Sequence, residues 1–278
     1  MTPYFSIITP VRNGSAFVSR YVDALLSQTF ADWECIVIDD SSSDDTYLML
    51  LSLVSGDRRF RVSRNPIIPT IRSPYSARNY ALLLSSGKYV CFLDIDDLWL
   101  PSHLSIYYRH ISSLPVCRIA YSAYFRYDFS SNAFSWRPVL PPFVAKVLSS
   151  YINPVPMLSS CIESSLARGH AFPACNHEDF IYWRQVFSSV SVDHITRICS
   201  RSSIYIENSC SLSSSKFLMI LWMYRCHRYL GASIFVSLLR LVPWCVMQLC
   251  FVLQRLAPVR LSLSSKAKIS DMLYNCAD

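Results

Sequence analysis

The sequence predicts an α/β fold: a mainly parallel sheet flanked by helices, with a helical extension at the C-terminal end. Three observations lead there. Strong apolar, β-rich runs alternate with helix-period segments at intervals of roughly 30 residues, the rhythm of βαβ units. Each strong run is nearly continuous in apolar residues, as strands are when helices cover both faces of a sheet. The chain has 278 residues, enough for one large domain with an appendage.

The elements follow in order. Tyr4 to Thr9 is a short apolar strand. Ser15 to Ser27 places Phe17, Val18, Tyr21, Val22, Leu25 and Leu26 at helical spacing. Trp33 to Ile38 is a second strand, and Ser43 to Val54 a helix with Ser and Asp at its start, where capping side chains belong. Phe60 to Ser63 is a weaker strand. Pro74 to Ser85 reads as a helix with Pro in its first turn. Lys88 to Leu93 is the third strong strand, and Pro101 opens another helix. The middle, 112–210, is less regular: a strand over Arg118 to Tyr127, a short helix over 143–151, a helix over Glu178 to Phe187, and one or two strands between Val190 and Ile206. Ser209 to Ser215 reads as a linker, followed from Lys216 by two helices.

The expected organisation is therefore one main domain over 1–210, in two halves (1–111 and 112–210), and a tail over 211–278. Charge separates them. Residues 1–215 hold 18 basic and 17 acidic side chains, whereas 216–270 hold eight basic residues and no Asp or Glu. The tail is also strongly apolar. Basic plus apolar fits an anionic membrane surface better than nucleic acid, so no nucleic-acid partner is expected. The stretch Ala232 to Leu253 has the length of a span, but Arg240 near its middle disfavours one, and a helix lying in the interface is preferred. The composition, 52% hydrophobic with 5 Gly and 15 Pro, excludes a disordered chain. The 11 cysteines show no Cys-x-x-Cys pair, which points to free thiols in a reducing compartment. No secretory signal precedes the first strand. These features together point to a cytoplasmic location, peripheral at the inner face of the membrane.

The chemistry sits at the strand ends, where parallel sheets bind ligands. The first strand ends in Thr9-Pro10-Val11-Arg12-Asn13, the second in Asp39-Asp40-Ser41, and the third in Asp94-Ile95-Asp96-Asp97. Five carboxylates in one crevice repel one another and favour a bound cation. Oxygen-only ligands suit Mg2+ or Mn2+, which bridge carboxylate to substrate diphosphate and stabilise the departing group. Arg12 and Arg78 are candidates to neutralise phosphate. Each acidic cluster read alone also fits a helix-capping turn.

These segments resemble glycosyltransferase family 2. The blocks that carry the resemblance are FSIITPVRNG (5–14), LLSQTFADWECIVIDDSSSDDT (25–46) and SARNYALLLSSGKYVCFLDIDDLWLPSHL (76–104), with a weaker fourth in PMLSSCIE (156–163) and HEDFIYW (177–183). The resemblance implies a GT-A-like nucleotide-diphospho-sugar fold and inverting transfer to a glycan or lipid-linked acceptor, as in bacterial surface-polysaccharide enzymes. It implies a donor site at Thr9, Pro10, Arg12, Asp39, Asp40, Arg78, Asp94 and Asp96, with Asp39 and Asp40 near base and ribose. Asp96 and Asp97 are the expected metal ligands, and Asp179 the general base, with Glu178 the neighbour most easily mistaken for it. Many members carry Gly where this chain has Ser42. Two other readings stay open: a catalytically inactive binding or scaffold protein on the same fold, and a sugar nucleotidyltransferase. The latter normally shows a Gly-rich N-terminal loop with a nearby Lys, and this chain offers only Gly14 and no Lys before Lys88. An integral membrane protein with a small soluble head is a third.

Overall fold

A computed structural model of the chain describes residues 2–67, 69–71, 73–128, 133–207 and 216–256. In chain order the elements are β1 (Phe5–Val11), α1 (Val18–Leu26), β2 (Trp33–Asp39), α2 (Thr46–Leu53), β3 (Phe60–Arg64), α3 (Tyr75–Leu84), β4 (Tyr89–Phe92), β5 (Leu98–Trp99), α4 (His103–Ser112), β6 (Ile119–Asp128), β7 (Ala133–Arg137), α5 (Pro142–Leu148), β8 (Ser160–Glu163), α6 (Ser164–Arg168), α7 (Glu178–Ser188), β9 (Ile195–Glu207), α8 (Lys216–Tyr229) and α9 (Ile234–Leu256). The expected linker at Ser209 to Ser215 lies outside the described residues.

One mixed sheet runs in the order β3-β2-β1-β4-β8-β6-β9-β5, with β7 beside β6. The first four strands are parallel. The second half turns antiparallel at β8, which lies between β4 and β6. Every residue of β1 and β2 is buried, which explains their unbroken apolar sequence. One core cluster gathers Ile7, Val11, Val22, Val37 and Tyr107. A second gathers Ile8, Ile36, Ala77, Phe92 and Trp183, so alternate residues of the same strands feed opposite layers.

Short elements in the irregular middle escaped the sequence reading. β5 is two residues long, β8 four, and neither offers a period to detect. β9 is a single strand of 13 residues, paired with β6 through register shifts near Ser122 and Ala123. The tail is not detached. Met223, Cys226 and Trp244 from α8 and α9 are buried with Phe180 and Ile181 of α7 and with Ile152. No helix among the described residues is long and apolar enough to cross a membrane.

Candidate active site

β1, β2 and β4 run side by side in one direction, so the loops that follow them leave the sheet at a common edge. Two of these loops turn through left-handed backbone at residues other than glycine: Asn13 (φ 53°) and Ser41 (φ 63°). Few such residues adopt this region, and side chains hold them in it. The Asn13 N–H donates to Ser42 Oγ at 2.9 Å, and Asn13 Oδ1 accepts the Ser43 N–H at 2.8 Å. The Gly14 N–H donates to Thr46 Oγ1 at 2.8 Å, and the Ser15 N–H to Asp44 at 3.1 Å. Burial works against the charged form of Asp44, but these bonds from Thr46 and Ser15 hold its pKa down at about 2. The hydroxyl of Ser42, where many family members have Gly, is thus one of the ties between the loops.

Asp39 is buried. Its Oδ2 accepts the Ser42 N–H at 3.3 Å, while Oδ1 is buried with no hydrogen-bond partner. Asp40, also buried, accepts Asn65 Nδ2 at 2.8 Å and anchors its own N–H on the Val11 carbonyl at 2.7 Å. Arg12 is exposed at the rim, and Pro10 is buried in register with Ile38. Thr9 corrects an expectation. It shares the strand face of Ile7 and Val11, and its hydroxyl meets Tyr21 OH at 2.5 Å beneath the sheet. Its side chain does not reach the crevice.

The acidic run after β4 divides. Asp94 stays partly exposed and accepts Arg78 Nη2 at 2.8 and 3.1 Å. Burial, and then the Asp94 charge, raise Asp96 to about 6. Asp97 is turned under the loop: it is 4% exposed, and its Oδ1 accepts the Ile206 N–H of β9 at 3.2 Å. Burial, Asp96 and Asp94 push its pKa well above the usual carboxylate range. The expected metal pair was Asp96 and Asp97, but the two carboxylates of the run that keep solvent-facing surface are Asp94 and Asp96. Arg20 of α1, not anticipated from the sequence, donates to the Asp96 carbonyl at 3.3 Å and opposes the rise at Asp96 and Asp97.

Among the described residues no three His, Cys, Asp or Glu side chains converge on one cation position. A hard cation that keeps several waters needs only one or two carboxylates plus diphosphate oxygens. Asp94 and Asp96 are the partly exposed carboxylates of the run, with Arg78 already on Asp94.

Arg78 connects this run to the turn that opens α7. Expected at a donor phosphate, its guanidinium instead spans two carboxylates, with Nη2 on Asp94 and Nη1 on Glu178 Oε1 at 2.6 Å. Glu178 is 5% exposed, and its other oxygen accepts Ser73 Oγ at 2.8 Å. Both its oxygens are therefore committed. Asp179, the next residue, also has both oxygens hydrogen-bonded but differs in exposure. Its side chain is about a quarter exposed (27%). Oδ2 accepts Asn153 Nδ2 at 2.6 Å, Oδ1 accepts the Phe180 N–H at 2.9 Å, and His177 Nδ1 lies 3.8 Å away. Burial works against its charge, but His177 and Arg78 prevail and hold its pKa below the usual range. The start of α7 favours the same anion. His177 is a third left-handed residue (φ 59°), and its ring meets the edge of Trp222 in α8 at 5.6 Å. Ser73, Asn153 and His177 were missed because they lie in irregular segments and act through contacts remote in sequence.

A parallel half-sheet with acidic loops at its carboxyl edge, extended through the antiparallel strand β8 and faced by a second acidic turn at the start of α7, is the architecture of the GT-A fold. Residues 6–162 match the glycosyl transferase family 2 domain, and the chain belongs to that family; it is a glycosyltransferase. It is 29% identical over 222 residues to the UDP-Glc:alpha-D-GlcNAc-diphosphoundecaprenol beta-1,3-glucosyltransferase WfgD of Escherichia coli, covering 76% of this chain and 80% of that one. Among solved structures it is similar to S. aureus TarS 1-349 in complex with UDP-GlcNAc (TM-score 0.62, 18% identity, 81% of this chain and 65% of that one). It is also similar to the mannosyltransferase PcManGT from Pyrobaculum calidifontis in complex with GDP-Man and Mn2+ (TM-score 0.57, 15% identity, 98% and 81%).

Proposed function

We propose that the chain catalyses inverting transfer of one sugar from a nucleotide-diphospho-sugar to a hydroxyl of a glycan or lipid-linked acceptor, with Asp179 as general base. The observation that carries this reading is the division of labour at His177-Glu178-Asp179. Glu178 is buried and spent on Arg78 and Ser73, whereas Asp179 is ionised and reachable. Because Arg78 also grips Asp94, one guanidinium fixes the base-bearing turn against the donor loops.

The unpartnered Oδ1 of Asp39 supports a role in receiving an N–H or O–H from base or ribose, since a buried oxygen left unpaired is costly until a ligand supplies a donor. Arg12 at the rim is placed for phosphate. Asp94 and Asp96 would hold a divalent cation, Mn2+ or Mg2+, whose chemistry is to offset the charge growing on the leaving diphosphate. Asp179 takes the acceptor hydroxyl proton as that oxygen attacks the anomeric carbon, and the bond to the diphosphate breaks on the opposite face. His177 beside Asp179 keeps the carboxylate charged before the proton arrives. The names of the relatives make a UDP-sugar and an undecaprenol-diphosphate-linked acceptor the first pair to try. Such an acceptor suits a protein peripheral at the inner face of a membrane, held through 216–270.

The test is calorimetric binding of UDP- and GDP-sugars with and without Mn2+, followed by transfer assays on wild type and Asp179→Asn. Metal-assisted binding of one donor by both proteins, with transfer lost only in the variant, supports the reading. Full transfer by Asp179→Asn refutes the base assignment.

A further inference from the structure

We infer that the outward face of α9 is a membrane-docking surface that lies flat in an anionic lipid monolayer. Between 234 and 249 every exposed position of this helix is apolar, from Ile234 and Phe235 through Leu238 and Val242 to Val246 and Leu249. At 100° per residue these positions fall within an arc of about 140°. The stripe is roughly 22 Å long at 1.5 Å per residue. The opposite face does the ordinary work of a core: Ser237 and Trp244 are buried, and Leu241 and Met247 pack on the cluster that holds Phe180 and Ile181 of α7. A helix apolar on both faces has its inner face covered by the protein, while among the described residues none covers its outer face. Contiguous exposed apolar surface of this size marks an interaction site.

Charge selects the occupant. Eight basic and no acidic residues fall between 216 and 270. Arg225 and Arg228 are exposed on α8 next to the α8–α9 turn, with Tyr229 62% exposed beside them. An exposed apolar stripe in a segment rich in arginine and without carboxylates complements anionic lipid. No described helix is apolar and long enough to span, so the helix lies in the interface plane.

The placement deepens the reading of a lipid-linked acceptor and rests on it for its purpose. α8, the partner of α9, touches the base-bearing turn: Trp222 meets His177, and Cys226 Sγ donates to the Asn176 carbonyl at 3.2 Å. Docking α9 in the monolayer therefore holds Asp179 one helix away from the surface in which a lipid-linked acceptor sits.

The experiment is co-sedimentation with phosphatidylglycerol–phosphatidylcholine vesicles and with phosphatidylcholine alone, on wild type, on Leu238→Ser/Val242→Ser/Val246→Ser, and on Arg225→Gln/Arg228→Gln. The expected result is salt-sensitive binding of wild type that prefers the anionic vesicles. The apolar variant should lose more than about tenfold in partition, and the arginine variant should lose the lipid preference. UDP-sugar binding by calorimetry reports that each variant is folded. Unchanged partition of the folded apolar variant overturns the proposal. So does a wild type that light scattering shows to be a dimer and the apolar variant a monomer, which would give this face to a second copy. Absence of donor binding in wild type counts against the transferase reading and leaves the vesicle result standing.

Discussion

Replacing Arg78 by methionine removes the cation that joins Asp94, in the loop after β4, to Glu178 at the start of α7. Its side chain is 6% exposed, and Glu178 opposite it 7%, while Asp94 is 37% exposed. The Asp94 arm is screened and contributes little, under about 1 kcal/mol. The Glu178 arm is not, because the variant leaves a buried carboxylate with only the Ser73 hydroxyl, and breaking a buried pair in this way costs about 3–5 kcal/mol. That is a large fraction of the roughly 5–15 kcal/mol that holds a domain together. With an m-value near 3 kcal/mol/M, the urea midpoint should fall by about 1–2 M. The loss should shrink as pH falls. Burial already raises Glu178, and without Arg78 its folded pKa rises further above the unfolded one; the charged folded form is thus penalised at neutral pH and relieved once a proton binds. Arg78→Met/Glu178→Met, which replaces both partners by apolar groups, should recover most of the loss. The assay is equilibrium urea unfolding of the four proteins of the cycle at two pH values. A single variant within about 1 kcal/mol of wild type refutes the reasoning. So does a double variant as unstable as the two singles added together, since that would mean the two groups are not coupled.

Other outcomes follow from the same geometry. Asp179→Asn should lower transfer by about 10²–10⁴-fold with donor affinity and melting temperature little changed, measured by product formation and calorimetry. Asp94→Asn/Asp96→Asn should abolish the Mn2+ dependence of donor binding, and an unchanged dependence would remove these residues from the cation site. His103 is stacked between Trp99 (4.1 Å) and Tyr107 (4.6 Å), and burial lowers its pKa to about 3. The unfolded histidine gains a proton near pH 6.5 and the folded one does not, so stability should fall as pH drops from about 6.5 toward 3, by at most about 1.4 kcal/mol per unit. Denaturant titrations of His103→Phe should lack that part of the slope. Gly87→Ala should destabilise by about 1–3 kcal/mol, because a Cβ there meets the Ser6 backbone nitrogen at 2.7 Å and the Phe5 carbonyl carbon at 2.8 Å; thermal melts check it.

The first 111 residues were legible because their information is local. β1, β2 and β4 are each unbroken apolar runs followed at once by polar or acidic loops, so strand and strand end could be read in one pass. Asp39, Asp40, Asp94 and Asp96 were placed at those strand ends in this way. Thr9 was misplaced because adjacency to the strand end is not the same as facing the crevice: the two-residue period puts it with Val11 on the core side. Asp97 failed similarly, since only the return of β9 reveals that its carboxylate is taken by the Ile206 N–H. Residues 112–210 hide more. β8 owes its place to strands on either side that come from distant parts of the chain, and no composition marks it. That Glu178 is buried in an ion pair while Asp179 keeps exposed surface depends on Arg78, 100 residues earlier.

The lacing of the loops after β1 and β2 bears on how this site can change over time. Asn13 and Ser41 keep an unfavourable backbone in two loops that are tied to one another: Ser42 and Ser43 meet Asn13, Thr46 meets Gly14, and Asp44 meets Ser15. Left-handed backbone at such residues costs of order 1–3 kcal/mol each when unsupported. A change at position 13 therefore alters the support for positions 42 and 43, and the reverse. Neither loop is free to drift alone toward a new nucleotide, and inheritable shifts in donor choice should arrive as paired replacements across the two turns.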